Sequence, residues 1–193
     1  MHLQKILVIL GPPGSGKGTQ SKLLIEKLGY AYFSMGDTLR EYAKKGTDLG
    51  RKIKEIIDQG LIVSDDLAKQ VVEESWTEFL EKPGLILEGY PRTDGQIEVL
   101  DEFMSKHEVR DLKVLSIQVD KQKLLNRILL RSKVESRVDD ADTAAVEKRF
   151  VEYENKTAKV IDYYKQKGNL TQINGDQSIG AVHGEILSRL EII

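Results

Sequence analysis

The stretch LVILGPPGSGKGTQ, residues 7–20, concentrates the residues most able to do chemistry. An apolar run enters two prolines, and Gly11, Gly14, Gly16 and Gly18 then surround a single Lys17. Gly11 and Gly16 have four residues between them and Lys17 follows at once, as in G-x-x-x-x-G-K-[ST], except that Gly18 replaces the hydroxyl, which moves to Thr19. An ordinary Gly/Pro turn requires no such spacing. Between a buried strand and a helix, a loop of this kind brings backbone N–H groups up to a phosphate at the positive end of the helix. Pro12 and Pro13 carry no N–H, so the donors must be Gly14, Ser15, Gly16, Lys17, Gly18 and Thr19. Lys17 supplies a point charge for the β- and γ-phosphates, and Thr19 a hydroxyl near Mg²⁺.

Arginine is the second signal. The chain has nine arginines against twenty lysines, and Arg40, Arg92, Arg131, Arg137 and Arg149 lie in or beside a few distinctive stretches. These stretches are FSMGDTLR (33–40), QGLIVSDD (59–66), EGYPRTDGQ (88–96), SRVDD (136–140) and NGDQSI (174–179). The planar guanidinium fork binds phosphate oxygens in pairs and keeps its charge. Local readings compete with this chemistry. Ser34 and Asp37 suit a helix start, with Arg40 one turn on. Thr93-x-x-Gln96 is a capping box. Asp139 and Asp140 either restrain neighbouring arginines or are plain surface acids, and the polar run 131–142 could be a solvated loop.

The elements that must hold these groups alternate. KILVIL, LILE and KVLSIQV are continuous apolar runs, as expected of strands buried on both faces, and YAYFS and LTQIN are weaker candidates for the same sheet. Helical stripes lie between them: Leu23, Leu24 and Leu28; Leu124, Leu125, Ile128 and Leu129; and Val146, Phe150, Tyr153, Thr157, Val160, Ile161 and Tyr164. Alternation of this kind predicts an α/β fold, a doubly wound parallel sheet with right-handed crossovers and helices on both faces. In that fold Glu88 ends a strand and Arg92 lies just past its carboxyl end, where open α/β sheets bind ligands. Residues 34–63, helical without a strand, and the polar segment after Leu130 fit the alternation as insertions.

Composition narrows the field. At 193 residues one domain buries roughly 70% of its unfolded surface. With 29 basic against 31 acidic residues there is no net basic field to recruit nucleic acid. No cysteine is present, which excludes disulfides and thiolate metal sites. His2, His107 and His183 have no ligand-like spacing and are expected at the surface. The run Ile6–Leu10 is too short for a signal peptide or membrane span, so the expected location is cytoplasmic.

Taken in order, the stretches above resemble the adenylate kinases and related nucleoside monophosphate kinases over essentially the whole chain. The resemblance implies the phosphate-loop NTPase form of the fold, with 34–63 as a monophosphate-binding insert and 131–140 as a short lid that lacks the length and cysteines of zinc-binding lids. It implies transfer of the terminal phosphoryl group of MgATP to AMP, giving two ADP, with no nucleic-acid or membrane partner and a monomeric enzyme. Lys17, Arg92, Arg131, Arg137 and Arg149 would then be catalytic. Residues 14–19, Arg127, Arg131 and Arg137 would hold ATP. Ser34, Met35, Arg40, Val63, Gly89, Arg92, Gln96, Arg137 and Arg149 would hold AMP, and Mg²⁺ would sit with ATP near Thr19 and Glu88 without a direct protein site.

Three residues depart from the family pattern. Met35 stands where threonine is usual beside the acceptor base, Ser136 where glycine precedes the lid arginine, and Glu88 where an aspartate helps hold the water of magnesium. A kinase for UMP or CMP is therefore the nearest alternative. A nucleotide-dependent switch is disfavoured because the chain has no D-x-x-G, and Asn155-Lys156-Thr157-Ala158 lacks the final acid of N/T-K-x-D. A phosphate-releasing ATPase would need a residue to position water, and none is identifiable.

Overall fold

The structure is a computed structural model that describes residues 3–135, 140 and 142–192. Its strands are β1 (Lys5–Leu10), β2 (Ala31–Ser34), β3 (Gly84–Glu88), β4 (Asp111–Gln118) and β5 (Leu170–Asn174). They form one parallel sheet in the order β2-β3-β1-β4-β5. The strand candidates, including the two weaker ones, are all present, and β1 runs between β3 and β4. This is the doubly wound α/β architecture that the alternation predicts.

The continuous apolar strands have a direct cause. Ile6, Val8 and Leu10 of β1 face one layer, with Leu85 and Leu87 of β3. Leu7 and Ile9 face the other, with Ile86, Leu115 and Ile117. Successive strand residues point to opposite faces, so burial on both sides demands an unbroken run. Helix α1 (Lys17–Leu28) covers the second face through Leu24, with Leu28 at its margin. Leu23 is only half-buried.

The segment expected to be helical without a strand forms α2 (Met35–Lys44) and α3 (Asp48–Asp58), followed by α4 (Asp65–Trp76). After β3 comes α5 (Asp94–Lys106), and after β4 comes α6 (Lys121–Glu135). Helix α6 carries residues 131–135, so the polar segment begins inside a helix. Leu124 and Ile128 of α6 pack on Val146 and Phe150 of α7 (Thr143–Glu152). Leu129 does not join that face; it is 57% exposed. The helix presents a narrow ridge one turn apart to its partner, and Leu129 falls off it.

The later stripe runs through a π-helical turn, Tyr153–Thr157, into α8 (Ala158–Gln166), where Val160, Ile161 and Tyr164 are buried as expected. The described chain closes with α9 (Ile179–Arg189). His107 and His183 are less exposed than expected. His107 packs on Phe103 at 4.7 Å between ring centroids, and His183 Nδ1 lies 3.2 Å from Gln20 Oε1. His2 lies outside the described residues. Among the described residues no helix is long and apolar enough to cross a membrane.

Candidate active site

The glycine loop follows β1 and enters α1 as expected. Gly14 (φ 80°) and Gly16 (φ 92°) hold left-handed backbone, which L side chains adopt at a steric cost. Helices α2, α3, α4, α5 and α9 are capped by the hydroxyls of Ser34, Thr47, Ser64, Thr93 and Ser178. Helix α1 has Gly16 in the cap position and so no side-chain cap. The first-turn N–H groups of a helix have no intrahelical partner, so this uncapped end offers donors and a positive dipole to an anion.

Lys17 folds over the loop. Its Nζ donates to the carbonyls of Gly11 (2.8 Å) and Pro12 (2.9 Å), with Ser15 Oγ at 3.5 Å. Burial pushes its ammonium down to about 7; Glu88 opposes that fall, while Arg92, Arg149 and Arg131 deepen it. A lysine surrounded by cations in this way is matched to a strongly anionic ligand.

At the end of β3, Tyr90 is fully buried and packs edge-on against Trp76, with ring centroids 5.4 Å apart. This anchors the turn that carries Arg92. Arg92 Nε donates to the Gly89 carbonyl at 2.5 Å. Gly89 has φ 65°, which favours glycine, and a Cβ there would come within 2.7 Å of the Arg92 guanidinium and displace its tip. Burial lowers Arg92 to about 10, helped by Arg149 and Arg40 and opposed by Glu88.

Gln96 takes part in the cap that starts α5. Thr93 Oγ1 accepts from the Gln96 N–H at 3.2 Å, and Gln96 Oε1 accepts from the Arg92 N–H at 2.9 Å. The return bond therefore reaches one residue before the cap, and the side-chain carbonyl is occupied in holding Arg92. Gln96 also lines a cavity.

That cavity is walled by Met35, Leu39, Ile57 and Val63 on its apolar side and by Arg40, Arg92, Arg131 and Arg149 on its charged side. Ser34 and Gly89 complete the expected set. Arg40 keeps its helical partner as well, with Nη2 on Asp37 Oδ1 at 2.5 Å. A second, open cleft is lined by residues 14–19, Arg127 and Arg131, and Arg127 Nη2 donates to the Gly175 carbonyl at 3.0 Å. Gly14, Lys17, Glu88 and Arg131 line both spaces, which meet there. Each expected site residue among the described ones lines one space or the other. Arg137, with Ser136 and Asp139, lies outside the described residues.

Asp140 proves to be a restraint. Its carboxylate is fully buried and accepts Arg131 Nε (2.6 Å), Arg131 Nη2 (2.9 Å) and Arg149 Nη1 (2.6 Å). Burial would raise this carboxyl, but the bonds and charge of Arg131 and Arg149 hold it below the usual range. One acid thus joins an arginine of α6 to an arginine of α7.

Tyr32, Asp37, Gln177 and Ile179 line the open cleft, and Glu152, Tyr153 and Thr157 the other cavity; sequence reasoning assigned none of them a site role. For Gln177 and Ile179 the stretch NGDQSI was the available signal.

The model of the adenylate kinase family matches residues 9–169. Among curated relatives, the chain is 37% identical to an adenylate kinase of Phocaeicola vulgatus, covering 96% of this chain and 97% of the relative. It is 38% identical to one from Hyphomonas neptunium over 96% of this chain and 97% of that one. With an adenylate kinase of Thermus thermophilus it shares 35% identity over the full length of both.

Proposed function

Because this chain belongs to the adenylate kinase family, we propose that its open cleft takes MgATP and its cationic cavity takes AMP. The terminal phosphoryl group crosses where the two meet, yielding two ADP. The observation that carries this reading is the junction itself: Lys17, Arg131 and Glu88 belong to both spaces, with Arg92 and Arg149 close enough to lower the charge state of Lys17.

The acceptor is an ionised phosphate, so no general base is needed, and catalysis rests on alignment and on charge stabilisation of a loose transition state. Arg40 and Arg92 hold the acceptor phosphate in line. Lys17, Arg131, Arg149 and Arg137 follow the transferring group. The apolar wall of Met35, Leu39, Ile57 and Val63 takes the base, and the amide nitrogen of Gln96 reads its edge. Segment 34–63 and segment 131–140 close over the nucleotides and exclude water. The enzyme acts as a monomer, as the family resemblance implies.

The residues present fit a nucleotide-borne magnesium ion. Thr19 and Glu88 offer two oxygens in the open cleft, and among the described residues no group of three or more His, Cys, Asp or Glu could hold a metal by itself. Magnesium keeps most of its waters and takes only one or two protein oxygens when phosphates supply the rest. When bound, it neutralises charge developing on the phosphates.

The test is kcat/KM for AMP, GMP, CMP and UMP with MgATP. AMP is expected to lead, and a better substrate among the other three would overturn the acceptor reading while leaving a nucleotide kinase. Met35 is 2% exposed, and its thioether cannot donate the hydrogen bond that a threonine could. Met35→Thr is therefore expected to sharpen the AMP-to-CMP ratio by about 10- to 200-fold, the worth of one pocket contact. An unchanged ratio would mean that the side chain does not face the base.

A further inference from the structure

Glu88 has one more rotatable bond than the aspartate its position resembles, so something must decide where its carboxylate rests. The β2–β3 ladder supplies a partner. Ser34 pairs with Glu88 and Tyr32 with Ile86 in parallel register, which puts Tyr32 and Glu88 on one face of the sheet, two residues apart along the strand direction. The Tyr32 hydroxyl donates to Glu88 Oε2 at 2.5 Å. Both side chains line the open cleft beside the glycine loop. A Cβ placed at Gly18 would lie 3.5 Å from Glu88 Oε2 and 3.7 Å from Oε1, so the carboxylate rests over the backbone that precedes Thr19.

We infer that Tyr32 is a positioning residue that pins the longer arm of Glu88 by one oxygen and presents the other to the hydration shell of the nucleotide-bound cation. This rests on the proposed role of Glu88 toward magnesium. The alternative is a bond that merely ties the edge strand β2 to β3, which would affect stability and nothing specific to the cation. The phenol is suited to donate: burial, and then the charge of Glu88, raise it well above the ordinary tyrosine range. Donation consumes a lone pair of Oε2 and leaves Oε1 as an acceptor.

The experiment compares wild type, Tyr32→Phe, Glu88→Gln and the double variant. ATP affinity is measured by calorimetry with Mg²⁺ and with chelator, alongside the Mg²⁺ dependence of the rate. In Tyr32→Phe the gain in affinity that Mg²⁺ confers is expected to shrink about tenfold, the lower end for outer partners of a metal site. Affinity in chelator should stay within twofold. In the Glu88→Gln background Tyr32→Phe should add nothing, because the two act as one unit. Equal effects of Tyr32→Phe with and without Mg²⁺, or an undiminished effect in Glu88→Gln, would overturn the inference. A wild-type enzyme indifferent to divalent cations would instead overturn the reading of Glu88 beneath it.

Discussion

Lys17→Met is expected to lower kcat about a thousandfold, the upper range for removing one preorganised donor aimed at developing charge, without lowering thermal stability. The Lys17 ammonium is disfavoured in the free protein, where burial and three arginines push it to about 7 against an ordinary 10.5. Between those values the unfolded chain binds more protons than the folded one, so this residue makes stability rise with pH across that window. Methionine removes that penalty and keeps the aliphatic stem.

In the proposed reading, polyphosphate binding should reverse the penalty, with anionic oxygens replacing the carbonyls of Gly11 and Pro12 as partners of the ammonium. ATP binding at about pH 8 should then be accompanied by proton uptake, since Lys17 is partly neutral before and charged after. Calorimetry in buffers of different ionisation enthalpy measures this directly. Uptake should be present in wild type and reduced in Lys17→Met. A variant within tenfold of wild-type kcat, or undiminished uptake, would remove Lys17 from the centre of the site.

Asp140→Asn is expected to destabilise the free protein by about 2–4 kcal/mol. The usual cost of breaking a buried ion pair is somewhat higher, but the Arg131 and Arg149 side chains remain 26% and 20% exposed and water relieves part of it. The amide cannot answer two guanidinia with full charge, and both then repel the other cations around the cavity. Saturating ADP should narrow the gap between variant and wild type, because nucleotide phosphates supply the missing anion. Urea unfolding with and without ADP reads both effects. A loss below about 0.5 kcal/mol, the range of ordinary surface changes, or a gap that ADP leaves untouched, would show that Asp140 does not hold these arginines.

Much of this molecule is written in local pattern. The glycine loop is legible because its backbone needs only its own residues: Gly14 and Gly16 for left-handed turns, and an uncapped helix start at Lys17. The strands are legible because burial on two faces leaves no place for polar alternation. The arginines stand out because phosphate chemistry needs a fork and ordinary surface does not.

Other features depend on pairings the chain cannot announce locally. Tyr32 and Glu88 are 56 residues apart in sequence, and only the placement of β2 beside β3 brings them together. Leu129 follows the helical period of its neighbours yet faces solvent, because the period does not say how wide the partner helix is. Gln96 offered two roles by type, and the cap geometry engages its side-chain carbonyl with the Arg92 N–H. Asp140 could have been a surface acid; the approach of α6 to α7 buries it between two guanidinia. Residue type and spacing determined the chemistry available to this protein, since short-range backbone geometry and burial suffice for that. The strand order β2-β3-β1-β4-β5 and the helix contacts decided which groups share it, since contacts across tens of residues are set by packing that no local period encodes.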